Sequence, residues 1–258
     1  AVMSAHEPDA TPDALADGLE LIRAADAAGV SLRLVGGLAV RVLCPDFPPR
    51  TRDNQDLDLA SVSRDRPALT TMLAGLGYEP DKRFNALYGH KQLYFASPAG
   101  RSVDVLIDHV EMCHDLVFAD RIDRMPLTLD PTDVLLTKLQ IIEINEKDVQ
   151  DVAYLLAAIP VQDGDAPGTV GLHRIRQVLG DDWGWWRTVT FNCEKIRGLV
   201  EGEMRHLMPA IAPHDVAAGL TAIVVAANDA PKSLRWKLRA RVGERKRWYR
   251  LPQEEEHY

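Results

Sequence analysis

The spacing of apolar residues changes character once along this chain, at Asp130-Pro131, and that change constrains the fold more than any other feature. Before it, short runs that alternate apolar and polar residues are interleaved with helical spacing; after it, the spacing is helical almost throughout. Asp130 can cap a helix that has Pro131 at its first position, so the boundary is marked chemically as well as by period. The expectation is an α+β fold: a mixed β-sheet with flanking helices over residues 1–128, then an all-helical domain over 129–258. A chain of 258 residues with 46% hydrophobic content can bury one large core or two modest ones without disulfides or a structural metal. Cys44, Cys113 and Cys193 make no C-x-x-C pair, which fits a reducing compartment. The longest apolar stretch, Val216 to Ala227, is far shorter than a membrane span of about 20 residues. The expected location is the cytoplasm, with no membrane partner.

Residues 12–28 space their apolar side chains helically and stop at Gly29. The run SLRLV then reads as a strand that ends in Gly36-Gly37, and LAVRVL as the helix after the turn. The polar, Pro-containing segment CPDFPPRTRDNQ leads into the strand DLDLASV. A helix over 65–76 follows, and KQLYFA and RSVDVLID form a hairpin through SPAG. Further helices are expected near 131–144, 147–158, 170–180, 185–206, 213–227 and 232–247.

Asp56 and Asp58 stand two apart on the DLDLASV strand, so their side chains share a face, roughly 6 to 7 Å apart along the chain. Two carboxylates at that distance repel by about 2.5 kcal/mol at an effective dielectric near 20. A divalent cation removes the repulsion, and Mg²⁺ takes one or two protein carboxylates, with water and substrate phosphates completing its shell. Exposed strands often alternate acid and apolar residues, so the pair needs company. Gly36-Gly37 supplies it upstream, at a turn where missing side chains let backbone N–H groups approach a phosphate. Asp104 supplies it downstream, as the one acid inside the apolar strand Val103 to Ile107, where a charge is costly unless paired or metal-bound. The competing reading of Asp104 is an edge-strand acid facing water.

Taken together, LVGGLAVRVL, RDNQDLDLA and SVDVLID resemble the signature of the DNA polymerase β nucleotidyltransferase superfamily: a Gly-Gly or Gly-Ser turn, an R-x-T-x-D-x-D-L strand and a third Asp in a later strand. The resemblance covers residues 31–108 and falls on Gly36, Gly37, Arg52, Asn54, Asp56, Asp58, Leu59 and Asp104. It departs from the pattern at Asn54, where Thr or Ser is usual, and eighteen residues separate Gly37 from Asp56. It implies a nucleotidyltransferase core in which Asp56, Asp58 and Asp104 hold two Mg²⁺ ions, with Mn²⁺ as a substitute. The Gly36-Gly37 turn, Arg52 and Asn54 would then sit at the NTP. The stretch from Asp130 to Leu156 resembles the Lys-then-Asp motif of abortive-infection type IV toxins and related bacterial nucleotidyltransferases. By that resemblance Lys138 neutralises triphosphate charge, and Asp148, with Asp151 on the same helical face, orders the site. A surface pair of Lys147 with Asp151 is the plain structural alternative.

The implied reaction transfers NMP from an NTP to an acceptor hydroxyl and releases pyrophosphate, with Asp104 as general base. Charge bears on the acceptor. Net charge is −8, yet nine basic residues between Lys232 and Arg250 face one acid, Glu244. An acidic body with a basic strip at 232–250 suggests a polyanionic partner, and RNA such as a tRNA end fits it. A cationic aminoglycoside fits the acidic body, and a protein hydroxyl is a third acceptor class. No DNA partner is expected; an antitoxin protein is, in a toxin-like role. Of a different class is a non-catalytic nucleotide sensor. Trp183, Trp185 and Trp186 read as helix packing, with base stacking as the alternative. His90, His109 and His114 fit no metal motif and read as loop or surface residues.

Overall fold

The computed structural model describes residues 13–48 and 56–251. Helix α1 (Ala14–Ala27) starts at Asp13, whose side chain accepts from Leu15 N–H, and ends before Gly29 at φ +70°. Strand β1 (Arg33–Leu34) is followed directly by α2 (Gly36–Leu43), and β2 (Leu57–Ser61) by α3 (Arg66–Gly75). Next come β3 (Glu79–Pro80), α4 (Lys82–Tyr88), β4 (Gln92–Ala96) and β5 (Ser102–Ile107). These strands form one mixed sheet in the order β1-β2-β5-β4-β3. Strand β4 pairs antiparallel with β5 through the expected hairpin, whereas β2 pairs with β5 in parallel.

A hairpin of β6 (His109–Glu111) and β7 (Asp115–Val117) leads to α5 (Pro131–Leu139). As the sequence suggests, the Asp130 side chain accepts from Thr132 N–H at the start of α5. An ionic cluster centred on the buried Arg121 and Asp133 holds this region: Arg121 meets Asp133 at 2.6 Å and the partly buried Asp165 at 2.6 Å, and the partly buried Arg174 meets Asp133 at 3.0 Å. Helix α6 (Glu146–Ala158) is followed by a two-residue parallel pair, β8 (Val161–Gln162) with β9 (Val170–Gly171). Helices α7 (Leu172–Asp181), α8 (Trp183–Glu201), α9 (Val216–Asp229) and α10 (Leu234–Val242) complete the helical half. The fold is α+β, a mixed sheet with flanking helices joined to a mainly helical half, and buried apolar residues from Ala14 to Ala227 make one continuous cluster.

Differences from the sequence expectation have local causes. The helix expected over 131–144 stops at Leu139 because Asn145 starts a new one with a reciprocal capping box, its side chain accepting from Asp148 N–H. Helix α8 begins two residues early because Asp182 accepts from Gly184 and Trp185 N–H, and it ends at Gly202 rather than running to 206. Helix α4 and the β6/β7 hairpin lack the periodicity that marks the other elements. No helix among the described residues is long and apolar enough to cross a membrane.

Candidate functional site

The site is built where the β1-to-α2 turn lies against β2. Val35 donates its N–H to the carbonyl of Asp58 at 3.0 Å, which fixes the turn to that strand. Gly36 follows at φ +62°, a region that costs side-chain-bearing residues about 1–2 kcal/mol. A Cβ there would also lie 2.5 Å from Asp58 Oδ2. Glycine is therefore required twice, for its backbone angle and for the space the carboxylate occupies. Gly37 lies in the first turn of α2.

Asp58 stands directly opposite Asp104 in the parallel register of β2 with β5. Burial along β5 alternates so that Val103, Val105 and Ile107 point into the core while Asp104 takes the other face, as its neighbours in sequence imply. Neighbouring strands lie about 4.8 Å apart, so two acids at paired positions share one small region. The consequence is electrostatic: burial first, then the charge of Asp104, pushes the Asp58 carboxyl up to about 6, with Asp56 adding and Lys138 opposing. Asp56 sits just before β2 and is exposed. Gln92, on β4, donates its amide to Asp104 Oδ1 at 2.6 Å. Nothing in the sequence singles out Gln92, since it reads as one polar position of an alternating strand.

Lys138 approaches from α5. Its Nζ lies 3.2 Å from Asp148 Oδ1 and 2.9 Å from Asp151 Oδ2, both nearly buried on one face of α6. Burial works against its charge, but the carboxylates of Asp151 and Asp148 outweigh it and raise the Lys138 pKa. Lys138, Asp148 and Asp151 thus form one buried cluster whose positive member is felt at Asp58. Asp151 has Lys138 as a partner, a contact that the reading of a surface pair with Lys147 does not include. Arg52 and Asn54 lie outside the described residues.

Among the described residues no group of three or more His, Cys, Asp or Glu side chains is arranged to hold a metal ion by itself. The donor set present is the Asp58 and Asp104 pair, with Asp56 at its edge. That set suits Mg²⁺, which takes one or two carboxylates and obtains its other ligands from water and phosphate. Of the histidines, His90 is exposed, whereas His114 is buried, with Nε2 2.8 Å from Thr188 Oγ1. His114 is a loop residue, as the sequence suggests, but not a surface one: the β6/β7 turn carries it under α8.

No family model and no curated protein matches the chain. Among solved structures, the crystal structure of ANT(2″)-Ia in complex with adenylyl-2″-tobramycin is similar at a TM-score of 0.37 and 12% identity, over 55% of this chain and 86% of that one. The solution structure of the antibiotic-resistance factor ANT(2″)-Ia gives 0.39 and 12%, over 74% and 95%. An antigenic nucleotidyltransferase-like protein from Paracoccidioides brasiliensis gives 0.41 and 12%, over 85% and 94%. Superpositions this loose leave the acid pair and the turn packed on it as the basis for any functional reading.

Proposed function

We propose that this chain is a metal-dependent nucleotidyltransferase that moves NMP from an NTP to an acceptor hydroxyl. The observation that carries the reading is the register of Asp58 opposite Asp104, with the positive-φ glycine turn closed onto the Asp58 carboxylate. Asp58 and Asp104, with Asp56 beside them, would hold Mg²⁺ or Mn²⁺, which supplies charge neutralisation on the triphosphate and on the acceptor oxygen. Around that, the chain's own groups position and exchange protons. Asp104, oriented by Gln92, accepts the proton of the acceptor hydroxyl; the new oxygen–phosphorus bond forms at the α-phosphorus as the bond to pyrophosphate breaks. The Gly36 turn and the N-terminus of α2 bring backbone N–H groups to the phosphates. Lys138, the positive member of its cluster, opposes the negative charge at Asp58, and Arg52 and Asn54 are proposed to lie at the NTP.

RNA is the proposed acceptor, because the basic strip offers exposed cations at Lys237, Arg241, Arg245, Lys246 and Arg247. The test incubates the purified protein with each labelled NTP, Mg²⁺ and either total RNA or a panel of aminoglycosides. Labelled RNA is the expected product, and Asp58→Asn lowers its formation by about 10³-fold or more, since the pair acts as a unit. A folded Asp58→Asn protein that transfers NMP at the wild-type rate would overturn the mechanism. Labelled aminoglycoside would overturn the choice of acceptor, and NTP binding without any product would favour a sensor.

A further inference from the structure

A cavity of about 1010 Å³ lies away from the acid pair, walled by the β6/β7 turn and β7, one side of α7, the first turns of α8 and α10, and the segment after α10. It exists because the basic strip folds back on the protein. Ser233 N–H donates to Gly180 O at 3.0 Å, so α10 leaves from the end of α7. The Arg239 guanidinium lies 4.9 Å from the Trp183 ring centroid and donates to the carbonyls of Gly243 and Lys246, closing the turn after α10. Trp248 then donates Nε1–H to Thr188 Oγ1 at 3.1 Å, and Arg250 N–H donates to Cys113 O at 3.0 Å. At Gly184 a Cβ would stand 2.7 Å from Trp248 O, so the returning segment touches the backbone of α8.

The lining is unusual in kind. It has five arginines against three aspartates, together with Trp248 and Tyr249, which are half-buried and set edge to face at 5.3 Å. Trp183 and Trp185 are buried and serve as the floor, as the packing reading of the tryptophans anticipates. Most of the arginines have partners: Arg174 with Asp133, Arg235 with Asp182, and Arg250 with Glu111. Arg247 differs. It is exposed, has no carboxylate partner among the described residues, and its guanidinium lies 5.5 Å from the Tyr249 ring centroid. Flat aromatic faces beside an unneutralised planar cation suit a ligand that has both a base to stack and a phosphate to pair. A duplex keeps its bases stacked inside and leaves such faces unused. An acidic peptide would use the arginine but not the rings.

We propose that this cavity binds single-stranded RNA, with a base stacked on Trp248 or Tyr249 and the neighbouring phosphates paired with Arg247 and with Arg235, whose exposed ion pair with Asp182 gives way to the phosphate. The site is separate from the acid pair, and its binding requires no transfer reaction.

Fluorescence anisotropy of a labelled, mixed-sequence single-stranded RNA of about 12 nucleotides tests it. Binding should weaken between about 50 and 200 mM salt with a logarithmic slope near −1.4, the value for about two phosphate contacts on a single strand. Arg247→Glu and Tyr249→Leu, both at exposed or half-exposed positions, should each weaken binding about tenfold, while Trp248→Phe, which keeps a stacking face, loses less than Trp248→Ala. Circular dichroism and melting of each variant confirm that it is folded. Arg23→Glu, an exposed charge change on α1, should leave affinity unchanged. Absence of binding overturns the proposal, as does equal weakening by Arg23→Glu, which would make the attraction diffuse. Equal competition by duplex RNA, by AMP or by polyglutamate also overturns it, pointing to a backbone, mononucleotide or acidic-protein site.

Discussion

Replacing Gly36 by alanine separates the geometry of the site from the stability of the fold. The substitution places a methyl group 2.5 Å from Asp58 Oδ2, whereas ordinary contact begins at 3.4 Å. The carboxylate must retreat by about 0.9 Å, and misplacement on the order of 1 Å at a reacting centre costs about 10²-fold in rate. The backbone adds its own penalty of about 1–2 kcal/mol, because φ is +62°. Gly29→Ala isolates that second effect: its φ is +70°, and an added Cβ meets nothing within 4 Å. Both variants should therefore lose about 1–2 kcal/mol in urea unfolding. Only Gly36→Ala should lose about 10²-fold in nucleotide transfer per folded molecule. If Gly36→Ala transfers NMP within about threefold of wild type, or matches Gly29→Ala in turnover, the turn does not position Asp58 and the account of the site is wrong.

Two further outcomes follow from buried charge. Lys138→Met leaves Asp148 and Asp151 without their cation and should cost about 3–5 kcal/mol in denaturant unfolding. Adding Asp148→Asn and Asp151→Asn to it should recover most of that loss, and no recovery would show that packing, not charge, is responsible. His114 has its pKa lowered to about 4, chiefly by burial, with Arg250 contributing and Asp182 opposing. Its unfolded value is about 6.5, so below that pH the unfolded chain takes up a proton the native one refuses. Stability is therefore lost as pH falls from about 6.5 to about 4 and is unaffected by this group above that window. Relative to His114→Gln, wild type should lose about 3 kcal/mol across it; a difference independent of pH would place the imidazole in contact with water.

Residues that act on near neighbours were legible in the sequence. Asp130 caps α5, Gly29 ends α1, the SPAG turn joins β4 to β5, and the alternation around Asp104 turns it away from the core. Helix α4 and the β6/β7 hairpin were not, because each is too short to show a period, and Gln92 was not, because its partner lies on another strand. The tryptophans were legible as packing, but the cavity they floor was not, since it depends on residues near 113, 183 and 248 meeting in space.

By itself the sequence determined the α+β order of elements, the glycine turn and the strand positions of the acids in the proposed site, since caps, periods and positive-φ positions operate over a few residues. Only the tertiary structure decided that Asp58 faces Asp104 across two parallel strands, and that Lys138 is held by Asp148 and Asp151. It also decided that the basic strip folds back to wall a cavity while most of its cations stay exposed. These are matters of register and burial between segments far apart in the chain, and packing on both faces of an element sets them where no local pattern can.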